Sequence, residues 1–155
     1  KSGAWLFRKA LGASPNRKTE LEKPCKVLGL TTFVEILGYL SHAESMKWIK
    51  KSHIGMIPHL DTKFIRTTVP NKLFQYMSAG SCCIASDVGP LKRIIEKEDC
   101  GYIFKSNDEK ELALKIRKAL LNHKERATKG NRGRAAAIRL YNWELQKKVY
   151  SKILS

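Results

Sequence analysis

Four apolar runs punctuate the middle of the chain: "VEILGYL" at 34–40, "IGMIPH" at 54–59, "CCIAS" at 82–86 and "GYIF" at 101–104. Each is too short for a buried helix, and none alternates with polar residues. Such runs suit strands whose two faces are both covered. Helical segments lie between them. "SHAESMKWIKK" (41–51) opens with Ser41 and Glu44 at capping-box spacing and offers Met46, Trp48 and Ile49 as its apolar side. "NKLFQYMSA" (71–79) stops at Gly80, and "LKRIIEK" (91–97) follows the turn "DVGP". Strand–helix alternation implies parallel β-α-β units. The expected fold class is α/β: a Rossmann-like parallel sheet flanked by helices, with C-terminal helices.

Beyond the last run the pattern is helical. "SNDEKELALKIRKALLNHKE" (106–125) begins with Ser106 and Glu109 at capping-box spacing, and Leu112, Ile116 and Leu120 share a face. "NRGRAAAIRLY" (131–141) follows, and "NWELQKKVYSKILS" (142–155) reads as a final helix capped by Asn142. At the other end "AWLFRKAL" suits either a strand or a helix start. No repeat or low-complexity linker divides the chain, so 1–155 reads as a single domain.

Hydrophobic residues make up 43% of the 155, enough for a core. No stretch reaches the ~18 unbroken apolar residues of a membrane span, and "KSGAWLFRKALGASPNRK" lacks the apolar core of a secretory signal. Cys25, Cys82, Cys83 and Cys100 show no metal-ligand spacing. They read as reduced, buried thiols of a cytosolic protein, with a Cys25–Cys100 disulfide as the alternative. Thirty Lys and Arg against fourteen Asp and Glu give a net charge of +16. That balance suits a polyanionic partner, or simply a solvated basic surface. Aromatic residues are not interleaved with the basic run, which argues against nucleic acid.

In a parallel α/β sheet, ligands bind beyond the carboxyl ends of the strands. The loop 59–70 occupies that place and carries His59, Lys63, Arg66, Thr67 and Thr68. Pro70 fixes φ for the helix that follows. The backbone amides of Asn71, Lys72 and Leu73 then face outward with a helix dipole behind them, an anion seat to which Lys72 adds a full charge. The alternative is a helix merely capped by Asn71 beside a solvated Lys72. Gln75 lies one turn further on, where it either meets paired hydroxyls such as a ribose or stands exposed.

The ordered set "GYL", "MIPH", "VPNKLFQYMSAG", "CCIASDVG", "CGYIF" and "YNW" resembles the C-terminal, donor-binding half of retaining GT-B glycosyltransferases, the glycosyl transferases group one, over roughly residues 28 to 150. The resemblance implies transfer of a sugar from a nucleotide diphosphate donor to a glycan or lipid-linked acceptor. The acceptor would be held by an N-terminal domain that this chain lacks, and the isolated domain would be inactive. It implies no cofactor and a metal-independent site, with UDP preferred over GDP. It places the pyrophosphate on the Asn71–Leu73 amides and the edge of the base pocket at Gly38 and Tyr39. In that family a Glu stands where this chain has Gln75, and often a second where it has Thr67. Both carboxylates are absent here, so a non-catalytic scaffold that has lost its donor stays open. An anionic membrane surface fits the basic residues Lys115, Arg117, Lys118, Lys124, Arg126, Lys129, Arg132, Arg134 and Arg139; a solvated helical face fits them too.

Overall fold

The computed structural model describes residues 9–12, 15–142 and 147. The reading of "AWLFRKAL" falls there only for its last residues, and that of the helix 142–155 only at Asn142 and Lys147. The chain divides into two compact units, Lys1–Trp48 and Ile49–Ser155.

The first unit holds β1 (Lys9–Gly12), α1 (Pro15–Val27) and β2 (Val34–Gly38). β1 and β2 pair in parallel, with a register shift between Ala10 and Gly12. The helix α2 (His42–Lys51) begins here. Its capping box is present: the Ser41 amide donates to Glu44 Oε2 at 2.9 Å and the Glu44 amide to Ser41 Oγ at 3.3 Å.

The second unit is built on three parallel strands, β3 (Ile54–Ile57), β4 (Cys82–Ser86) and β5 (Gly101–Phe104), in the order β3-β4-β5. All five residues of the central β4 are buried. That is why the sequence there is continuously apolar or small. The connecting helices are α3 (Asn71–Ala79) and α4 (Gly89–Lys97). Leu73 and Met77 of α3 are fully buried, as are Leu91 and Ile95 of α4. Each such side chain contributes about 1.5–3 kcal/mol by leaving water.

Pro58 ends β3 after Ile57, because it cannot donate to a ladder. Other sequence boundaries are corrected. Gly89 and Pro90 of the expected turn "DVGP" already form the first turn of α4. The segment 106–125 is not one helix. Asn122 closes α5 (Glu109–Leu121) and opens α6 (His123–Leu140), which absorbs 131–140 and is capped by Tyr141. The Arg126 guanidinium donates to Ala119 O at 3.1 Å, covering an open carbonyl at the end of α5. The cap of α5 is Asp108, whose carboxylate accepts from the Glu111 amide at 2.8 Å; Ser106 is employed elsewhere.

Five residues of the basic cluster in 115–139 pair with acids within the fold. Lys115 pairs with Glu111 at 3.1 Å, Lys118 with Glu125 at 3.6 Å, and Arg139 with Glu98 at 3.2 Å. Lys129 and Arg132 both bind Asp99. The hydrogen bond from Lys129 is the main reason the Asp99 carboxyl sits below its ordinary range. A depressed acid stabilises the fold fully above its unfolded pKa of about 3.9. That contribution is lost as pH falls through the lower folded value. Asp99→Asn is therefore expected to flatten the acid limb of a stability profile below about pH 4, and urea unfolding at pH 3 and pH 6 checks it. The carboxylate is half-exposed, so the change is small.

All four cysteines are free thiols. Cys82, Cys83 and Cys100 are buried as expected, whereas Cys25 is only half-buried, a correction. Burial pushes the Cys82 thiol up to about 12. A hydrogen bond with Cys100 and burial push Cys83 well up. A thiol reagent such as Ellman's is expected to titrate Cys25 alone in the folded chain at pH 8, and all four in urea. Rapid reaction of a second thiol would contradict that packing.

Candidate functional site

The parallel strands of the second unit bring the ends of β3, β4 and β5 to one edge. Three loops leave from that edge, and Ser106 ties them together. Its hydroxyl donates to His59 O at 3.2 Å and accepts from the Asp61 amide at 3.0 Å, while its amide donates to Asp87 Oδ1 at 2.8 Å. The cleft there has a volume of about 440 Å³ and is lined by Leu60, Asp61, Asp87, Lys105, Ser106 and Asn107. None of these six was picked out from the sequence as a site residue. Ser106 lies 45 positions from Asp61 and 19 from Asp87, and no local spacing announces such a clamp.

The loop from Pro58 to Pro70 is braced from within. Thr62 Oγ1 accepts from the Ile65 amide at 3.3 Å, which starts a single 3-10 turn, Ile65–Thr67. The Thr67 and Thr68 hydroxyls both donate to Phe64 O, at 2.9 and 3.3 Å. They hold the turn. Arg66 makes a bidentate pair with Asp61, both bonds at 2.7 Å. Its guanidinium, expected as a phosphate contact, is thus committed to the loop's own acid. Lys63 is exposed and has no acid partner among the described residues.

Pro70, not Asn71, is the N-cap of α3, with φ −64° and ψ 131°. Asn71 is the first helical residue. The expectation of three open amides is corrected to two, because the Leu73 amide donates to Pro70 O at 3.0 Å and its side chain is fully buried. The Asn71 and Lys72 amides have no partner among the described residues. At the other end of α3 the left-handed Gly80, φ 77°, terminates the helix with its amide on Met77 O.

His59 sits below the ordinary imidazole range, first through burial and then through the charge of Lys72. At neutral pH His59 is therefore an uncharged imidazole. Gln75 is half-buried on the same side of α3, one turn beyond Asn71, with no side-chain partner among the described residues. His59, Lys72, Asn71 and Gln75 thus belong to one edge of the second unit. Gly38 and Tyr39 belong to the first unit. Gly38 is buried at the end of β2 with φ 73°, and Tyr39 is exposed.

Chemically this edge offers donors and positive charge, suited to a phosphate, and a neutral amide suited to hydroxyls. Among the described residues no group of three His, Cys, Asp or Glu could hold a metal ion.

The family model described as glycosyl transferases group 1 matches residues 9–122. The chain belongs to that family. Among solved structures, sucrose-phosphate synthase from Thermosynechococcus elongatus superposes with a TM-score of 0.78 at 20% identity, covering 95% of this chain and 38% of that one. HepE of Anabaena, solved with UDP, gives 0.70 at 18% identity and covers 88% and 36%. The C-terminal domain of the group 1 protein LpcC from Francisella tularensis gives 0.69 at 20% identity and covers 83% and 64%. This group 1 chain thus spans from 36% to 64% of the length of those structures, and its fold is one Rossmann-like half of a GT-B enzyme. No curated protein matches. Among the described residues of the group 1 chain no helix is long and apolar enough to cross a membrane.

Proposed function

We propose that this chain is the donor-binding half of a retaining glycosyltransferase that moves a sugar from a nucleotide diphosphate to a glycan or lipid-linked acceptor. The observation that carries the reading is the start of α3, where the Asn71 and Lys72 amides are open and Lys72 adds a full charge, in a group 1 chain. Negative charge grows on the departing diphosphate as the glycosidic bond breaks. Amides fixed at the helix start, with the Lys72 charge beside them, stabilise that charge with little reorganisation. They act without a bound metal in this scheme.

Gln75 takes the ribose. Its amide accepts from a hydroxyl, but a neutral bond is roughly half as strong as one to a carboxylate. Thr67 and Thr68 shape the loop. HepE was solved with UDP and with UDP-glucose, which supports UDP over GDP as the donor nucleotide. The acceptor is held by a part of the protein outside this chain, and the chain alone does not turn over. The enzyme works in the cytoplasm.

The ribose contact is tested by titrating UDP and its 2′,3′-dideoxy analogue in the presence of a chelator. Loss of the hydroxyls is expected to weaken binding about ten-fold in the wild-type chain and hardly at all in Gln75→Leu. Equal discrimination in both proteins would remove Gln75 from the site. Dependence of UDP binding on added magnesium would remove the metal-independent scheme.

A further inference from the structure

α5 carries an exposed apolar pair that the described residues of its own unit do not cover. Leu114 and Leu121 are 64% and 66% exposed. Single exposed leucines are ordinary, but these two stand seven residues apart, about 20° from each other around the helix. Lys110 and Lys118 flank them at about 40° on either side, and Arg117 at about 60°. All three are exposed, and neither Lys110 nor Arg117 has an acid partner among the described residues. Lys118 pairs with Glu125 at 3.6 Å. Glu111, beside the arc, is occupied: it accepts from the Lys105 amide at 2.7 Å and pairs with Lys115 at 3.1 Å. The rest of the helix is anchored inward. Ala119 is fully buried, and Leu112 and Ile116 pack against the β4–β5 core.

We propose that this face of α5 docks on an anionic lipid bilayer, Leu114 and Leu121 entering the headgroup boundary while Lys110 and Arg117 meet lipid phosphates. An apolar centre with a cationic border on a rigid helix is the arrangement that interfacial helices use. Each basic side chain near a negatively charged leaflet adds attraction. The chain's +16 net charge brings it toward such a surface, and the pair of leucines selects which face lands. Donor binding is not required for this, since the face lies on α5 and not among the α3 residues.

Flotation of the full chain with vesicles tests it, using phosphatidylcholine with and without about a third phosphatidylglycerol. Binding is expected on the anionic vesicles only. Leu114→Gln with Leu121→Gln should lower the partition coefficient about ten-fold or more. Lys110→Gln with Arg117→Gln should lower it several-fold. Arg93→Gln with Lys97→Gln, exposed on α4 and equal in charge removed, should leave it near wild type. The proposal is overturned by no binding, by equal binding to neutral vesicles, or by an equal loss in the α4 variant, which would mean charge alone. It is also overturned if the wild-type chain is a dimer in sedimentation without lipid and the leucine variant a monomer, which would make the face a protein contact. Thermal unfolding of each variant within a few degrees of wild type excludes misfolding.

Discussion

Gly130→Ala is expected to destabilise the second unit by about 3 kcal/mol, at the upper end of the usual cost of overpacking. The sign is the informative part. Within a helix, alanine is ordinarily better than glycine by about 1 kcal/mol. Gly130 lies well inside α6, yet a Cβ there would stand 2.1 Å from the carbonyl oxygen of Gly80 and 3.0 Å from its carbon. That obstacle is backbone, not the loose end of a side chain. It is also the turn that ends α3, so α6 and the α3–β4 turn would have to separate. Gly133, Ala136 and Ala137 continue the same buried stripe of small residues. Asn131→Ala, exposed on the next position, should instead gain about 0.5 kcal/mol from propensity. Urea unfolding of the two variants checks both signs. A neutral or stabilised Gly130→Ala would mean that α6 does not sit as close as described.

Much of this architecture is legible in the sequence, for physical reasons. β4 announces itself because a strand covered on both faces must be apolar or small throughout, and "CCIAS" is. The capping box of α2 is local, three residues apart, and it is found as read. The α3 boundaries follow from Pro70 and Gly80, whose backbone preferences act in place. What fails is what depends on distance along the chain. Ser106 looks like a helix cap because Glu109 follows at the right spacing, but it is drawn to His59, Asp61 and Asp87 by the meeting of three loops. Arg66 looks like a phosphate ligand until Asp61 is brought alongside it. The break at Asn122 hides because the residues on both sides favour a helix equally. The Leu73 amide reads as open because the sequence does not show that the extended Pro70 turns its carbonyl toward it.

The second large effect is expected at Asn71→Asp, where stability and affinity should move in opposite directions. A carboxylate at the first position of α3 interacts favourably with the helix dipole, by about 0.3–1 kcal/mol. The variant should therefore unfold no earlier than wild type. The same carboxylate stands beside the Asn71 and Lys72 amides and competes with any anion for them. Diphosphate binding should fall at least ten-fold, about 1.4 kcal/mol. A substitution that merely damaged the fold would lower both quantities together.

The most direct measurement is a calorimetric titration of the chain with UDP and with UMP, repeated on Lys72→Ala. Lys72 is exposed, so its loss should not disturb the fold. The account predicts that UDP binds more tightly than UMP and that Lys72→Ala removes most of that difference while barely changing UMP. If UDP and UMP bind alike, or if Lys72→Ala leaves their ratio untouched, the start of α3 is not the diphosphate seat. If neither binds to the folded chain, it is not a donor-binding half on its own terms, and a scaffold role takes its place.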